Sequence, residues 1–193
     1  MIQSDKFDSF MNFKNNIEKI RNFLFKRLIE FFGVLLLISG FLILLSLISY
    51  NPNDPNFIYP SSQIIENLLG IRGSIVADFL FQSIGLVALF IPITLIFLSI
   101  SIIFEKKLVL IIKSLFFIIC YSIVGSIFFT QFYNEAFFLV INGNGGFVGN
   151  YFYNNIFFKI LNSNSQISYY LELSLFTVLF IISINFKLSW LVN

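Results

Sequence analysis

The side chains that could do chemistry in this sequence are few. It contains no histidine and a single cysteine, Cys120. Imidazole acid–base catalysis, most zinc or haem ligation and an intrachain disulfide are therefore excluded. Cys120 lies deep in an apolar stretch and is interpreted as a small core residue. Serine, tyrosine and asparagine are plentiful, but no close lysine–carboxylate arrangement is present to activate a nucleophile. The sequence predicts that this chain is not an enzyme and needs no cofactor or metal.

Four charged residues fall within or beside long apolar stretches: Asp78, Lys113, Glu172 and Lys187. Ionisable groups inside a bilayer are costly, and by default they suggest a proton relay or a transport site. Each of these four lies within about one or two helical turns of a predicted span end, from which its side chain can reach water. No pair of carboxylates is predicted at mid-depth, so a carrier mechanism lacks its chemistry.

The glycine-rich stretch at residues 143–149 superficially resembles a dinucleotide-binding fingerprint, but its spacing is wrong and no strand precedes it. A phosphate-binding Gly-x-x-x-x-Gly-Lys-Ser/Thr loop is not found either. We interpret the stretch as a flexible turn that returns the chain to the membrane interface. The aromatic run that follows, at residues 151–161, is predicted to form a short helix at that interface.

The elements that position these residues follow from composition. Of the 193 residues, 58% are hydrophobic and 11% are charged, whereas a soluble domain carries roughly 25% charged residues. A helix that crosses about 30 Å of hydrocarbon needs roughly 20 apolar residues. The sequence therefore predicts an all-α polytopic protein that crosses a lipid bilayer with four transmembrane helices. The predicted spans are residues 31–50, 79–103, 108–132 and 171–191, with outer loops at 51–78 and 133–170.

Lysine and arginine set the predicted orientation, because basic residues close to a span are retained in the cytoplasm. Ten of the twelve fall on one side: six before the first span, three around the connection after the second, and one at the end of the fourth. Only Arg72 and Lys159 lie on the other side. Both termini are therefore predicted to be cytoplasmic. The basic segment 1–30 suits an interfacial helix on an anionic leaflet, and a plain topology signal is an equally good interpretation.

Small residues and a proline mark candidate helix contacts. Gly33 and Gly40 are seven residues apart and share a face of the first span, as do Gly85 and Pro92 in the second. Small residues let helix backbones approach closely, which supplies much of the association of helices in lipid. We expect these positions to line contacts within the chain or between copies in a homo-oligomer. Pro92 is also expected to kink the second span.

The first outer loop carries the most distinctive pattern in the chain. Its prolines forbid continuation of the first helix and fix extended turns directly after it. Its glycines permit a tight re-entry before the second span begins. The residues that carry the pattern are Ser49, Tyr50, Asp54, Pro55, Asn67, Gly70, Gly73, Ala77 and Asp78.

This pattern resembles the membrane domain of the FtsK/SpoIIIE family of bacterial DNA translocases. In that family Ser-Tyr and then Asp-Pro follow the first span, and Asn-x-x-Gly-x-x-Gly with Ala-Asp precedes the second. Asn56 and Ser74 are small departures, at positions where the family usually has serine and often has alanine. The resemblance covers about residues 27–191.

The resemblance implies a four-helix anchor in the bacterial inner membrane, which in the full-length family leads to a hexameric ATP-driven DNA pump at the division septum. It implies that the anchor localises and oligomerises the motor and contacts division proteins, in cell division and chromosome segregation. The motor is not in these 193 residues. The chain is therefore expected to be a piece of a longer or split protein, or a free-standing anchor.

Direct binding of DNA or ATP by this chain is not expected. Nucleic-acid binding usually needs a dense basic surface. A net charge of +2, with the basic residues concentrated beside the membrane, does not supply one.

A function of another class stays open from the residues alone. Spans that contain glycine and proline also suit a small transporter or channel subunit whose pore forms by oligomerisation. The missing pair of charges at mid-depth counts against it. A membrane-bound enzyme is the least favoured class, because the polar loops offer no nucleophile–base pair.

Overall fold

The computed structural model describes residues 2–55, 65–134, 142–157 and 165–185, and within these ranges the chain is helical with no strand. A 3₁₀ helix, Gly85–Leu89, joins the second and third helices, and a π-helical turn, Tyr153–Phe157, follows the fifth. The α-helices are α1 (Ile2–Ile48), α2 (Gly70–Ile84), α3 (Phe90–Glu105), α4 (Val109–Phe132), α5 (Gly146–Phe152) and α6 (Ser165–Ser183).

Four helical stretches are long and apolar enough to cross a bilayer: Asn15–Ile48, Gly70–Glu105, Val109–Phe132 and Gln166–Ser183. Large apolar side chains point outward from them, including Phe104 and Ile112, which are 75% and 72% exposed. A soluble protein rarely exposes so much apolar surface, whereas lipid covers it at no cost. The prediction of an all-α membrane protein with four transmembrane helices is confirmed.

The spans pack in the order α1, α3, α4, α6. The tightest neighbours are α1 with α3 and α4 with α6, and α3 joins the two pairs by packing against α4. We call the end where residues 106–108 connect α3 to α4 the hairpin end, and the opposite end the loop end. At the loop end α2 bridges the pairs, because its start is bonded to α1 and its last residue to α4.

Gly33 and Gly40 lie where α1 crosses α3. A Cβ atom at Gly33 would come within 2.7 Å of Ile103, and one at Gly40 within 3.0 Å of Ile96. These distances are shorter than a relaxed carbon–carbon contact of about 3.5–4.0 Å. Both glycines therefore allow α1 and α3 to approach each other within one chain.

A salt bridge joins α1 to α3 at the hairpin end. The Glu30 carboxylate pairs with Lys106 and with Arg27, at 2.5 Å in each case. Lys106 follows the last residue of α3 in the left-handed conformation, with φ of 55°, and its N–H bonds back to the carbonyl of Ile102. The tight turn after α3 thus brings the Lys106 side chain to Glu30, which is the only acidic residue in the sequence between Ile20 and Ser49.

Buried hydroxyl groups connect α3, α4 and α6 in the half of the bundle toward the hairpin end. Thr94 on α3 lies 3.1 Å from the hydroxyl of Tyr121 on α4 and 3.3 Å from that of Ser183 on α6. Ser114 donates to the carbonyl of Ser183 at 2.8 Å and accepts from the amide of Asn185 at 2.7 Å. Hydrogen bonds of this kind hold helices together in lipid, where the apolar surfaces gain nothing by associating.

The second apolar stretch is interrupted by the 3₁₀ helix that begins at Gly85 and ends at Leu89, three residues before Pro92. Gly85 has φ of 66° and ψ of −146°, a conformation that residues with a Cβ rarely adopt. Pro92 is the third residue of α3. A proline in the first turn of an α-helix removes an N–H that would have no partner inside that helix.

Three helices have bounds that differ from the predicted spans. α1 is continuous from Ile2 to Ile48, so residues 10–29 extend the first span and do not form a separate interfacial helix. α2 begins at Gly70, inside the predicted first loop, because Gly70 adopts φ of 64° and starts the helix there. α6 ends at Ser183, and residues 186–191 of the predicted fourth span, with Lys187, lie outside the described residues.

Candidate functional site

The nine residues of the first-loop pattern lie at the loop end, where the chain passes from α1 to α2. We call residues 46–55 and 65–78 the α1–α2 junction. In the part of this junction that the structure describes, hydrogen bonds join residues 46–55 to residues 65–78, which are far apart in sequence. Its geometry therefore decides how the first two membrane elements are set against each other.

Asp54 closes the base of the first loop. Its two carboxylate oxygens accept hydrogen bonds from the backbone N–H groups of Glu66 and Asn67, each at 2.9 Å, and the residue is only 6% exposed. A carboxylate that accepts backbone N–H bonds is a strong acceptor in a water-poor site. Asp54 thus fixes the spacing between the two ends of the loop, whatever the residues between them do.

Asn67 caps the end of α1. Its amide nitrogen donates to the carbonyl of Ser46 at 2.9 Å and to that of Ser49 at 3.3 Å. The last carbonyls of a helix have no hydrogen-bond donor inside the helix, and a carbonyl left without a donor near lipid costs free energy. The amide oxygen of Asn67 accepts from the N–H of Leu69 at 3.1 Å. One side chain therefore ends the first span and shapes the turn into α2.

Gly73 allows α2 to lie against this cap. A Cβ at Gly73 would collide with the Asn67 amide and come within 2.6 Å of the Leu69 Cβ. The carbonyl of Gly73 accepts a 2.6 Å hydrogen bond from the hydroxyl of Ser46 on α1. By contrast, a Cβ at Gly70 would meet nothing within 4 Å, so Gly70 is needed only for its positive φ.

The remaining residues of the pattern complete the same junction. Ser74 donates to the carbonyl of Pro55 at 2.8 Å, and Ala77 is fully buried in a cluster with Leu47. The Tyr50 hydroxyl donates to Asp78 at 3.1 Å. Burial of the phenol, and then the nearby Asp78 carboxylate, raises the pKa of Tyr50.

The glycine-rich stretch contains a turn that leads into α5, and it also makes a second contact site at the loop end. The carbonyl of Asn144 accepts the N–H of Leu86 at 2.9 Å, at the interruption between α2 and α3. Asn142 donates to the backbone carbonyl of Gln82 at 3.2 Å, and Asn144 to that of Tyr133 at 2.7 Å. The chain between α4 and α6 is thereby tied to the start of the second span.

Missing side chains make this second contact possible. A Cβ at Gly145 or Gly149 would run into the backbone of Ser126 on α4, and one at Gly146 into the backbone of Gly85. α5 begins at Gly146. Of the predicted helix at 151–161, the structure shows the last residues of α5, up to Phe152, and the π-helical turn to Phe157. Residues 158–161 lie outside the described residues. The density of glycines was the signal in the sequence, but its partners were not visible there.

Glu172 differs from what the sequence suggested. It lies in the second turn of α6 but is only 4% exposed, so the expectation that it reaches water is wrong. Neither carboxylate oxygen has a hydrogen-bond partner among the residues that the structure describes. The other charged residues near span ends are less buried: Lys113 is exposed and Asp78 is half-buried.

The contacts of the α1–α2 junction support a structural role. Its carboxylates at Asp54 and Asp78 are engaged by backbone N–H groups and by a phenol. Within the described ranges, no three Asp, Glu or Cys side chains are grouped so that they could hold a metal ion. What the arrangement can do is hold two membrane elements and their loop in one fixed geometry.

Comparison with known proteins identifies the family to which the sequence is similar. The family described as the 4TM region of DNA translocase FtsK/SpoIIIE matches residues 25–193. This range contains the second, third and fourth candidate spans whole, and the first span from residue 25 onward. The resemblance drawn from the junction residues is confirmed by this match.

Individual relatives match over a shorter stretch. The DNA translocase FtsK of Rickettsia typhi is 44% identical over 59 residues, which is 31% of this chain and 8% of that protein. The DNA translocase FtsK of Rickettsia prowazekii is 41% identical over 61 residues, 32% of this chain and 8% of that protein. The matched part is thus a small fraction of either relative. No solved structure matches the chain.

Proposed function

Because this chain belongs to the family of the 4TM region of DNA translocase FtsK/SpoIIIE, we propose that it is the non-catalytic membrane anchor of an FtsK-like DNA translocase. In this proposal it acts in cell division and chromosome segregation by localising and oligomerising the motor at the septum. The observation that carries the proposal is the family match over residues 25–193, which takes in the second, third and fourth candidate spans whole and the first from residue 25 onward.

The non-catalytic character of the anchor is supported by its chemistry. The match is to the membrane region, and the polar groups of the α1–α2 junction are engaged in holding the fold together. The net charge of +2 gives little attraction for DNA. We expect the purified chain alone neither to hydrolyse ATP nor to bind DNA tightly, and a filter-binding assay at physiological salt measures the latter.

The proposed orientation places the hairpin end, with both termini, in the cytoplasm of a bacterial inner membrane. Lys106 and Lys107 lie at that end and Lys113 in the following turns of α4, and Arg27 of α1 shares Glu30 with Lys106, in accord with the retention of basic residues in the cytoplasm. Reporter fusions at Asn53 and Asn144 should be active outside the cytoplasm, and fusions at Lys106 and Asn193 inside it. The reverse pattern would overturn the orientation.

Septal localisation is tested with a fluorescent fusion in dividing cells. We expect enrichment at midcell, where division proteins would be the partners of the anchor. Gly73→Leu, which should break the α1–α2 junction, and Gly70→Ala, which meets no neighbour, form a matched pair for asking whether the junction geometry is needed. A fusion spread evenly around the envelope would contradict the proposal.

The proposed homo-oligomer is tested by native mass spectrometry of the chain released from membranes in mild detergent. A ladder of assemblies larger than the monomer is expected, and a monomer alone at all protein concentrations would contradict it. Sequencing the DNA beyond codon 193 tests the link to a motor, since an in-frame or adjacent motor gene is expected there.

A small transporter or channel subunit is the second candidate, and one observation favours it. Glu172 is a buried carboxyl group in α6 with no hydrogen-bond partner among the described residues, and such groups mark ion or proton pathways in other membrane proteins. Purified chain in liposomes with a pH-sensitive dye separates the candidates. Proton flux that Glu172→Gln abolishes would favour the transporter, and the absence of flux would favour the anchor.

A further inference from the structure

An apolar groove runs between α1 and α2 on the outside of the bundle, close to the loop end. It has a volume of about 260 Å³, and its lining is mainly apolar, with Ser46, Gly73 and Arg72 as the other lining residues. Its wall on α1 is made by Leu42 and Ile43, and its wall on α2 by Val76, with Leu69 at the turn. The groove is therefore shaped by two membrane elements and faces the space that lipid occupies.

The groove lies below the membrane surface. The carbonyl of Gly73, beside Arg72, is bonded to the hydroxyl of Ser46 on α1. Ser46 comes about 16 residues after Glu30, whose salt bridge with Lys106 marks the hairpin end. At a rise of 1.5 Å per residue this is about 24 Å, within a hydrocarbon core of about 30 Å. With Glu30 taken as the boundary of the core at the hairpin end, the backbone of Arg72 lies about one helical turn inside the core at the loop end.

Arg72 has no anion to pair with among the residues that the structure describes. The described ion pairs use Arg27, Lys106 and Lys107. The three carboxylates of the α1–α2 junction already accept hydrogen bonds, Asp54 from two backbone N–H groups, Glu66 from the Asn51 amide and Asp78 from Tyr50. An exposed guanidinium at this depth is costly unless an anion meets it.

The anion that a bilayer offers at this depth is a lipid phosphate. A guanidinium binds phosphate through two parallel hydrogen bonds, and its long side chain can extend toward the headgroup layer. An acyl chain of the lipid that carries this phosphate would pass directly into the apolar groove below. A free phosphate would gain the charge contact but would leave the groove empty.

We propose that the groove between α1 and α2 holds one acyl chain of a glycerophospholipid from the leaflet at the loop end, with the lipid phosphate bound by Arg72. The bound lipid lies against both Leu42 on α1 and Val76 on α2, so it stabilises the α1–α2 junction from outside. This site does not depend on the proposed anchor role, because it follows from the depth, shape and charge of the groove alone.

The test uses the full chain, purified in mild detergent, stripped of lipid and titrated with phosphatidylglycerol. Native mass spectrometry counts the bound lipid, and the thermal midpoint reports its effect on the fold. We expect one lipid to bind more tightly than the others and to raise the midpoint. Arg72→Gln should weaken that lipid about tenfold or more, the factor expected for loss of a charge-assisted hydrogen bond. Arg72→Lys should retain part of the affinity.

Two matched controls separate the site from general attraction. Lys26→Gln removes an exposed charge at the other end of α1 and should leave the tight lipid in place. Val76→Trp fills the groove while keeping Arg72 and should displace the acyl chain. Val178→Trp makes the same change on a lipid-facing surface of α6, where Val178 is 52% exposed, and should not.

Three results would overturn the proposal. One is an Arg72→Gln variant that binds phosphatidylglycerol as the wild type does. Another is glycerol 3-phosphate raising the thermal midpoint as far as the lipid does, which would make the site one for a free anion. The third is tight lipid binding that survives Val76→Trp, which would show that the groove is not occupied. Variants that fail to fold are recognised by their loss of helical circular dichroism, and Val76→Leu then serves as the milder filling substitution.

Discussion

Replacing Gly85 by alanine tests whether the glycine-rich stretch is packed against the second span. A methyl group there would run into the Asn144 backbone, whose carbonyl carbon would lie 2.6 Å from the new Cβ. The Gly70→Ala variant is the matched control. Gly70 also has a positive φ, 64° against 66° for Gly85, but a methyl group at Gly70 would meet nothing within 4 Å.

The magnitude follows from two costs. Placing a residue with a Cβ in the backbone conformation of Gly85 costs about 1–3 kcal/mol, and displacing a packed segment by overfilling costs about 1–3 kcal/mol more. Gly85→Ala should therefore lower the free energy of unfolding by about 2–6 kcal/mol. Gly70→Ala carries only the cost of a left-handed residue, about 1–2 kcal/mol.

The assay is reversible unfolding in mixed micelles, with helix content followed by circular dichroism. Hydrogen exchange adds a local readout, because the N–H of Leu86 donates to the displaced Asn144 carbonyl. We expect that amide to exchange faster in Gly85→Ala and to be unchanged in Gly70→Ala. If the two variants unfold at the same denaturant concentration and protect Leu86 equally, the packing described for residues 142–146 is wrong.

Three further substitutions probe the loop end and the α1–α3 contact. Asp54→Ala leaves two backbone N–H groups without an acceptor and should destabilise the chain by about 1–3 kcal/mol, whereas exposed Asn53→Ala should be neutral in the same unfolding assay. Gly33→Leu should cost about 1–3 kcal/mol by forcing α1 from α3, while Val34→Leu, which faces outward, should not. Tyr50→Phe removes the hydroxyl that donates to Asp78 and should cost about 0.5–1.5 kcal/mol; an unchanged thermal midpoint would show that the hydroxyl contributes nothing.

The sequence could predict the membrane elements because crossing lipid is a property of a continuous stretch. Every backbone group must be satisfied within its own helix, so length and apolarity suffice to find a span. The ends of the spans were less predictable. α2 starts at Gly70 because of one left-handed residue, and α1 continues back to Ile2 through residues whose polarity suggested a separate segment.

The pattern in the first loop identified the family, yet it did not reveal what its residues do. Asp54 and Asn67 are separated by a stretch of loop, and only in the folded chain does the carboxylate reach the N–H of Asn67. Glu172 shows the same limit in another way. Its position near a span end predicted contact with water, but packing of α6 against its neighbours buries it.

The sequence by itself determined that this chain crosses a bilayer four times and belongs with the membrane region of a DNA translocase. Both conclusions depend on residues that are close together in sequence, because hydropathy is a property of a continuous stretch and the motif is local. Only the tertiary structure decided which glycines are indispensable. Gly73 and Gly85 are needed because Asn67 and Asn144 approach them from other parts of the chain. Steric contact between distant segments depends on how the helices are set against one another, and neither sequence position alone contains that information.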